Sequence, residues 1–175
     1  ADSLPNNIKS KDNLGTKEKL ARRIEIEKTL DEGYGSCLLG NPIAAKVVVD
    51  AWKFFDNKRY DLIAYVVMPN HVHLMVKTYD KFLLSSIVHS WKSYTAHEII
   101  KLLGRGSGET PELPEDNENQ VWQIEYWDRF IRDEKHYCQA INYIHENPVK
   151  AGLCKLPEDW PWSSYYSGSS GVSPE

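Results

Sequence analysis

The sequence predicts an α+β fold, with a small antiparallel sheet and helices packed on one of its faces. Three observations point there. The run from Tyr60 to Met68 is strongly apolar and of strand length. A Pro69-Asn70 turn signal joins it to a second run, His71 to Thr78, whose residues alternate in character. Patterns of helical length precede and follow this pair, which suggests a small antiparallel sheet with helices on one face.

The elements follow in order. Residues 17–32 form a partly apolar helical pattern, with Leu20, Ile24 and Leu30 on one side. A second helix starts near Pro42, where a first-turn proline is favoured, and runs to about Asn57. The strand pair comes next, then a long helix from about Lys81 to Leu103. An acidic stretch and a short aromatic segment, VWQIEYWDRFIR, separate it from a last helix. That helix begins near Asp133, whose carboxylate suits a helix N-terminus. It is expected to stop by Asn147, because Pro148 disfavours helix in the residue before it. In domain terms, residues 1–166 read as one domain, with 104–120 an acidic flexible loop and 167–175 a flexible tail.

A chain of 175 residues can bury a substantial single core. No apolar run approaches the ~20 residues of a bilayer span, and no signal-peptide core is present, so a cytoplasmic protein is expected. Cys37, Cys138 and Cys154 have no CxxC spacing, and neither a disulfide framework nor a zinc knuckle is implied. The net charge of −4 argues against a protein that coats nucleic acid indiscriminately. Much of it is local, however. Glu109, Glu112, Glu115, Asp116 and Glu118 fall in a stretch without a base, and leaving those five acids out turns −4 into +1.

The stretch MPNHVHLMV concentrates the chemistry. In a strand, residues two apart share a face, so His71, His73 and Met75 point one way while Val72, Leu74 and Val76 point into a core. Two imidazoles at that spacing can reach one metal ion. The same spacing also suits two half-exposed strand histidines with local hydrogen bonds. The last helix adds to the set. Tyr143 and Asn147 stand four apart in HYCQAINYIHENPVKAGL and share a helix face. Taken alone, Tyr143 could be a packed ring and Asn147 a helix cap. Together with the histidines they make two imidazoles, an amide oxygen and a phenol, groups that could hold a divalent cation beside a hydroxyl nucleophile.

MPNHVHLMV, YIHENPVKAGL and the tail DWPWSSY together resemble the REP-associated tyrosine transposases, bacterial members of the HUH single-tyrosine transposase superfamily. The similarity extends from GYGSCLL through the tryptophan-rich tail. It implies a ferredoxin-like or RRM-like sheet, with the HUH motif on a central strand and the catalytic tyrosine on a C-terminal helix. It also implies cleavage and joining of single-stranded DNA near a hairpin. His71 and His73 fall on the family's HUH pair, Tyr143 on its nucleophile, and Asn147 where relatives carry an amide ligand. The family's first strand would lie just ahead of ADSLP. The acidic loop is longer than the family needs and would alter access to DNA. A homodimer is compatible with the resemblance.

The expected mechanism is coherent in its own terms. A phenol with a pKa of about 10 is a poor nucleophile at neutral pH without assistance. A cation on His71, His73 and Asn147 would polarise a phosphate oxygen, and the mixed N/O donors suit Mn²⁺ or Mg²⁺. Attack by Tyr143 would give a phosphotyrosyl ester, linked to the 5′ end by the resemblance. No general base is evident, although His136 and His145 are near in sequence. Lys92, Arg129, Arg132 and Lys150 are the candidate phosphate contacts, and Trp160 and Trp162 are expected to pack the tail onto the body. Two other classes compete. A non-catalytic single-stranded nucleic-acid-binding module with an RRM-like sheet would put aromatics where the histidines stand. A zinc hydrolase would need a third His or a carboxylate as ligand, and would leave Tyr143 unused.

Overall fold

The strand pair is the centre of the structure and carries a different core on each face. The computed structural model describes residues 33–103, 121–124 and 126–167, with positions 18, 21, 25, 26 and 28–30 ahead of them. Those N-terminal positions are helical, as expected for 17–32. The acidic loop, 104–120, and nearly all of the tail, 168–175, lie outside the described residues.

Helix α1 spans Pro42–Phe55. Asn41 caps it by accepting from the Ile43 amide at 2.9 Å, and Pro42 fills the first turn, where its missing N–H costs nothing. Strands β1 (Tyr60–Val67) and β2 (Val72–Thr78) pair antiparallel, with Val67 opposite Val72, Val66 opposite His73 and Ala64 opposite Met75. Helix α2 covers Leu84–Leu102 and helix α3 covers Glu134–Lys150.

One face of the sheet presents Tyr65, Val67, Val72, Leu74 and Val76 to α1 and α2, where Val48, Trp52, Ile87, Trp91 and Ile99 are buried. Burying one such aliphatic or aromatic side chain contributes about 1.5–3 kcal/mol. Tyr60 fastens the three elements together. Its hydroxyl donates to the Trp52 carbonyl at 2.6 Å and accepts from Trp91 Nε1 at 3.0 Å, while the Tyr60 and Trp91 rings meet edge to face.

The expectation of helices on a single face needs correction. The other face carries Ala64, Val66, Met68 and Met75, and α3 packs on it through Ile144, Ala140 and Ile141. The cause lies in β1. Its apolar residues do not alternate with polar ones, and a strand apolar on both sides has to be covered on both sides.

A second correction concerns the end of α3. The helix does not stop at Asn147 but runs through Pro148 to Lys150. Pro148 lies in the last turn and lacks only its own amide bond, and its ring is fully buried. Gly152 ends the helix instead. At φ +72°, its amide donates to Val149 O at 3.0 Å, and the Leu153 amide reaches back to Pro148 O at 2.9 Å. These two bonds are the Schellman arrangement, which requires a left-handed residue. No atom lies within 4 Å of where a Gly152 Cβ would stand, so Gly152→Ala carries a purely conformational cost. Urea unfolding should register a loss of about 1 kcal/mol. An unchanged midpoint would contradict this account of the helix end.

Among the described residues the sheet has two strands, and β2 pairs only with β1. Within that set the histidine-bearing strand stands at an edge rather than in the centre. The outer edge of β1 is taken by the tail: Val67 N donates to Trp162 O, and Ser164 N to Tyr65 O, both at 2.9 Å. Trp160 Nε1 donates to Val67 O at 2.9 Å and Trp162 packs on the larger core. Both tryptophans thus hold the tail to the body, as expected.

Candidate active site

The hairpin turn and the middle of α3 converge on one cluster. Met68 N donates to His71 O at 2.9 Å, closing the turn and delivering His71 at the mouth of β2. His73 follows on the same side of the strand, and the two rings meet edge to face with centroids 4.8 Å apart. The Tyr143 ring lies against His73, centroid to centroid 5.2 Å at 77°. Alternation therefore sorts the strand as expected: the imidazoles lie on the α3 side, away from Val72 and Leu74. The Nε2 atoms of both histidines are shielded from solvent.

Asn147 sits one turn beyond Tyr143 on α3 and is 2% exposed. Its Nδ2 is buried and makes no hydrogen bond. A buried amide with an unmet polar end is costly in a stable core, and asks for a partner atom from a ligand or a water. His71, His73 and Tyr143 lie against one another and Asn147 follows one turn on along α3; by their chemistry, two imidazoles, an amide oxygen and a phenol suit a divalent cation. Among the described residues no three His, Cys, Asp or Glu side chains gather into a metal-binding group, so the third ligand wanted by a zinc hydrolase is not supplied there. The RRM-like alternative fares no better, because α3 covers the sheet face on which bases would stack.

Continuation of α3 past Pro148 brings Lys150 onto the same stripe, seven residues from Tyr143. Its Nζ stands over the Tyr143 ring, 5.2 Å from the centroid. Lys92 is placed differently. It donates to Gln123 O at 2.9 Å and Ile124 O at 3.3 Å and lies over the Tyr126 ring, and burial lowers its pKa. Its ammonium ties the aromatic segment to α2, where Trp122 Nε1 also donates to Thr95 Oγ1 at 2.8 Å. Arg129 and Arg132 are exposed on the segment leading into α3.

The two helix histidines are engaged away from the cluster. His136 Nδ1 accepts from the Arg132 amide at 3.3 Å near the start of α3, where Asp133 caps by accepting from the His136 amide at 2.7 Å. His145 Nε2 meets Ser164 Oγ at 2.8 Å and its ring packs on Tyr165, clamping the tail, and burial lowers its pKa. Other tyrosines are engaged elsewhere. Burial pushes the Tyr60 phenol up to about 12, and Tyr79 donates to Asp61.

Sequence reasoning missed Asn70, which it treated only as a turn former. Its Nδ2 donates to Leu30 O at 2.7 Å and Tyr34 O at 2.8 Å, and its Oδ1 lies 2.8 Å from His71 Nδ1. The signal was its place directly before the first histidine.

A family model described as "Transposase IS200 like" matches residues 38–147, well over half of the chain. The REP-associated tyrosine transposase of Escherichia coli K12 is 30% identical over 113 residues, which cover 63% of this chain and 57% of that protein. A Haemophilus influenzae protein provisionally named a REP-associated tyrosine transposase is 25% identical over 118 residues, 61% of this chain and 60% of that one. The chain thus spans about three fifths of the length of these curated relatives. A solved structure of a REP-associated tyrosine transposase bound to a REP hairpin superposes with a TM-score of 0.54 at 25% identity, covering 79% of this chain and 74% of that one. Among the described residues no helix is long and apolar enough to cross a membrane.

Proposed function

The chain belongs to the IS200-like transposase family, and from that premise we propose that it cuts and rejoins single-stranded DNA beside a hairpin, with Tyr143 as nucleophile. The observation that carries the proposal is the stack of His71, His73 and Tyr143, which sets a phenol from α3 against the hairpin imidazoles. A relative whose solved structure holds a REP hairpin supports hairpin DNA as the substrate class.

In the proposed step the Tyr143 hydroxyl attacks a backbone phosphorus. An Oη–P bond forms, the P–O3′ bond breaks, the phenol proton leaves to solvent and the departing O3′ takes one up. His71, His73 and Asn147 would hold Mn²⁺ or Mg²⁺, which would supply positive charge to polarise the phosphate and offset the negative charge of the transition state. The phosphotyrosyl ester conserves the bond energy, so a second 3′-OH can reverse the step without ATP. Asn147 would supply a neutral oxygen donor, a type suited to a hard cation.

The test is a labelled single-stranded hairpin incubated with the protein and Mn²⁺ or Mg²⁺, followed by a denaturing gel. A band shifted by covalently attached protein is expected, together with a free 3′-OH fragment. Cutting without any adduct would point to a metal-bound water as the nucleophile and overturn the reading.

Lys150 is the proposed phosphate contact nearest the chemistry, with Arg129 and Arg132 guiding the strand. An exposed ammonium beside the attacked phosphate stabilises charge in water-rich surroundings, where removing it is worth less than in a dry site. Lys150→Met should slow adduct formation about tenfold, with Lys150→Arg near wild type. A Lys150→Met rate equal to wild type would remove it from the site.

A further inference from the structure

We infer that Asn70 is a positioning residue for His71, setting the imidazole tautomer that leaves Nε2 as the metal-binding nitrogen. The inference rests on the reading of His71 as a ligand and deepens it. Three hydrogen bonds carry it. The Asn70 amide nitrogen donates to two backbone carbonyls, Leu30 O at 2.7 Å and Tyr34 O at 2.8 Å. Carbonyls accept and never donate, so the orientation of this amide is decided by its partners and not by convention. Its Oδ1 is therefore the atom that faces His71 Nδ1 at 2.8 Å. An amide oxygen can only accept, which makes Nδ1 the protonated nitrogen. A neutral imidazole protonated at Nδ1 carries its lone pair on Nε2.

That nitrogen is buried, in a ring that meets His73 edge to face. Metal-ligating histidines commonly have their second nitrogen held in this way by a carboxylate, a carbonyl or water. Here a side-chain amide takes the part, and its other end is anchored to the backbone ahead of α1. The same amide thus joins the N-terminal segment to the hairpin turn. With the amide held at both ends, the His71 ring loses the freedom to flip and present Nδ1 to an ion.

Asn70→Ala and Asn70→Asp separate the two functions. Alanine removes both contacts. Aspartate keeps an oxygen for the Nδ1 proton but cannot donate to Leu30 or Tyr34. The measurements are ¹⁵N shifts of the His71 ring in metal-free protein, and calorimetric titration with Mn²⁺ alone. Wild type should show the Nδ1-protonated tautomer and bind Mn²⁺. Asn70→Ala should show a tautomer mixture and bind about 10- to 100-fold more weakly. Asn70→Asp should keep the tautomer and bind within a few-fold of wild type, although its N-terminal anchor is gone. A wild-type His71 protonated at Nε2 overturns the inference by itself, whatever the metal does. Equal Mn²⁺ affinity in wild type and Asn70→Ala overturns it while leaving the metal site standing. Wild type that binds no Mn²⁺ sinks the ligand assignment, and the positioning role with it.

Discussion

Tyr143→Phe is expected to abolish both DNA cleavage and the covalent DNA–protein adduct while leaving folding and hairpin binding close to wild type. The substitution removes one oxygen and keeps the ring that packs against His73, so the edge-to-face contact survives. Without the hydroxyl no Oη–P bond can form. The loss should fall below detection, a drop of at least about 10⁴-fold, because a residue that forms the covalent bond has no partial substitute. Tyr137 is the control. It lies on the same helix, six residues away and about 120° around it, and is 37% exposed. Tyr137→Phe should cleave normally. An adduct formed by Tyr143→Phe would move the nucleophile elsewhere, and a cleavage defect in Tyr137→Phe would show that helix packing rather than the hydroxyl is being read.

The second large effect belongs to the histidines. His71→Ala combined with His73→Ala should eliminate calorimetric Mn²⁺ binding and divalent-cation-dependent cleavage together, since a single amide does not hold the ion. These rings stand on a face that α3 covers, with Met75 and Ile144 buried in its core. The double variant should therefore also lose about 1–2 kcal/mol of stability, a cost that an exposed pair would not carry. A melting curve run alongside separates the two losses. Mn²⁺ binding that persists in a folded double variant would sink the site assignment.

The strand pair was legible because its signals are local. A Pro-Asn turn between apolar runs needs no knowledge of neighbours, and period-two alternation from His71 to Val76 sorted the histidines from the core residues correctly. The starts of α1 and α3 were legible for the same reason: Pro42 occupies the first turn, and Asp133 acts on an amide within one turn. The continuation of α3 was not. That a proline turns the preceding residue away from helix is a statement about local sterics. Pro148 instead sits buried in the last turn, and the helix end is set four residues on by Gly152.

By itself the sequence determined the element order, the shared face of His71 and His73, the shared face of Tyr143 and Asn147, and the family. Each of these depends on spacing along the chain, and spacing is written there. Tertiary structure decided what lies between elements. It put α3 on the second sheet face, because β1 is apolar on both sides and cannot leave one bare. It gave Lys92 to the carbonyls of Gln123 and Ile124, and tied the Asn70 amide to the carbonyls of Leu30 and Tyr34. Asn70 and Leu30 stand 40 positions apart and Trp160 and Val67 stand 93 apart, and only packing brings such atoms within hydrogen-bond reach.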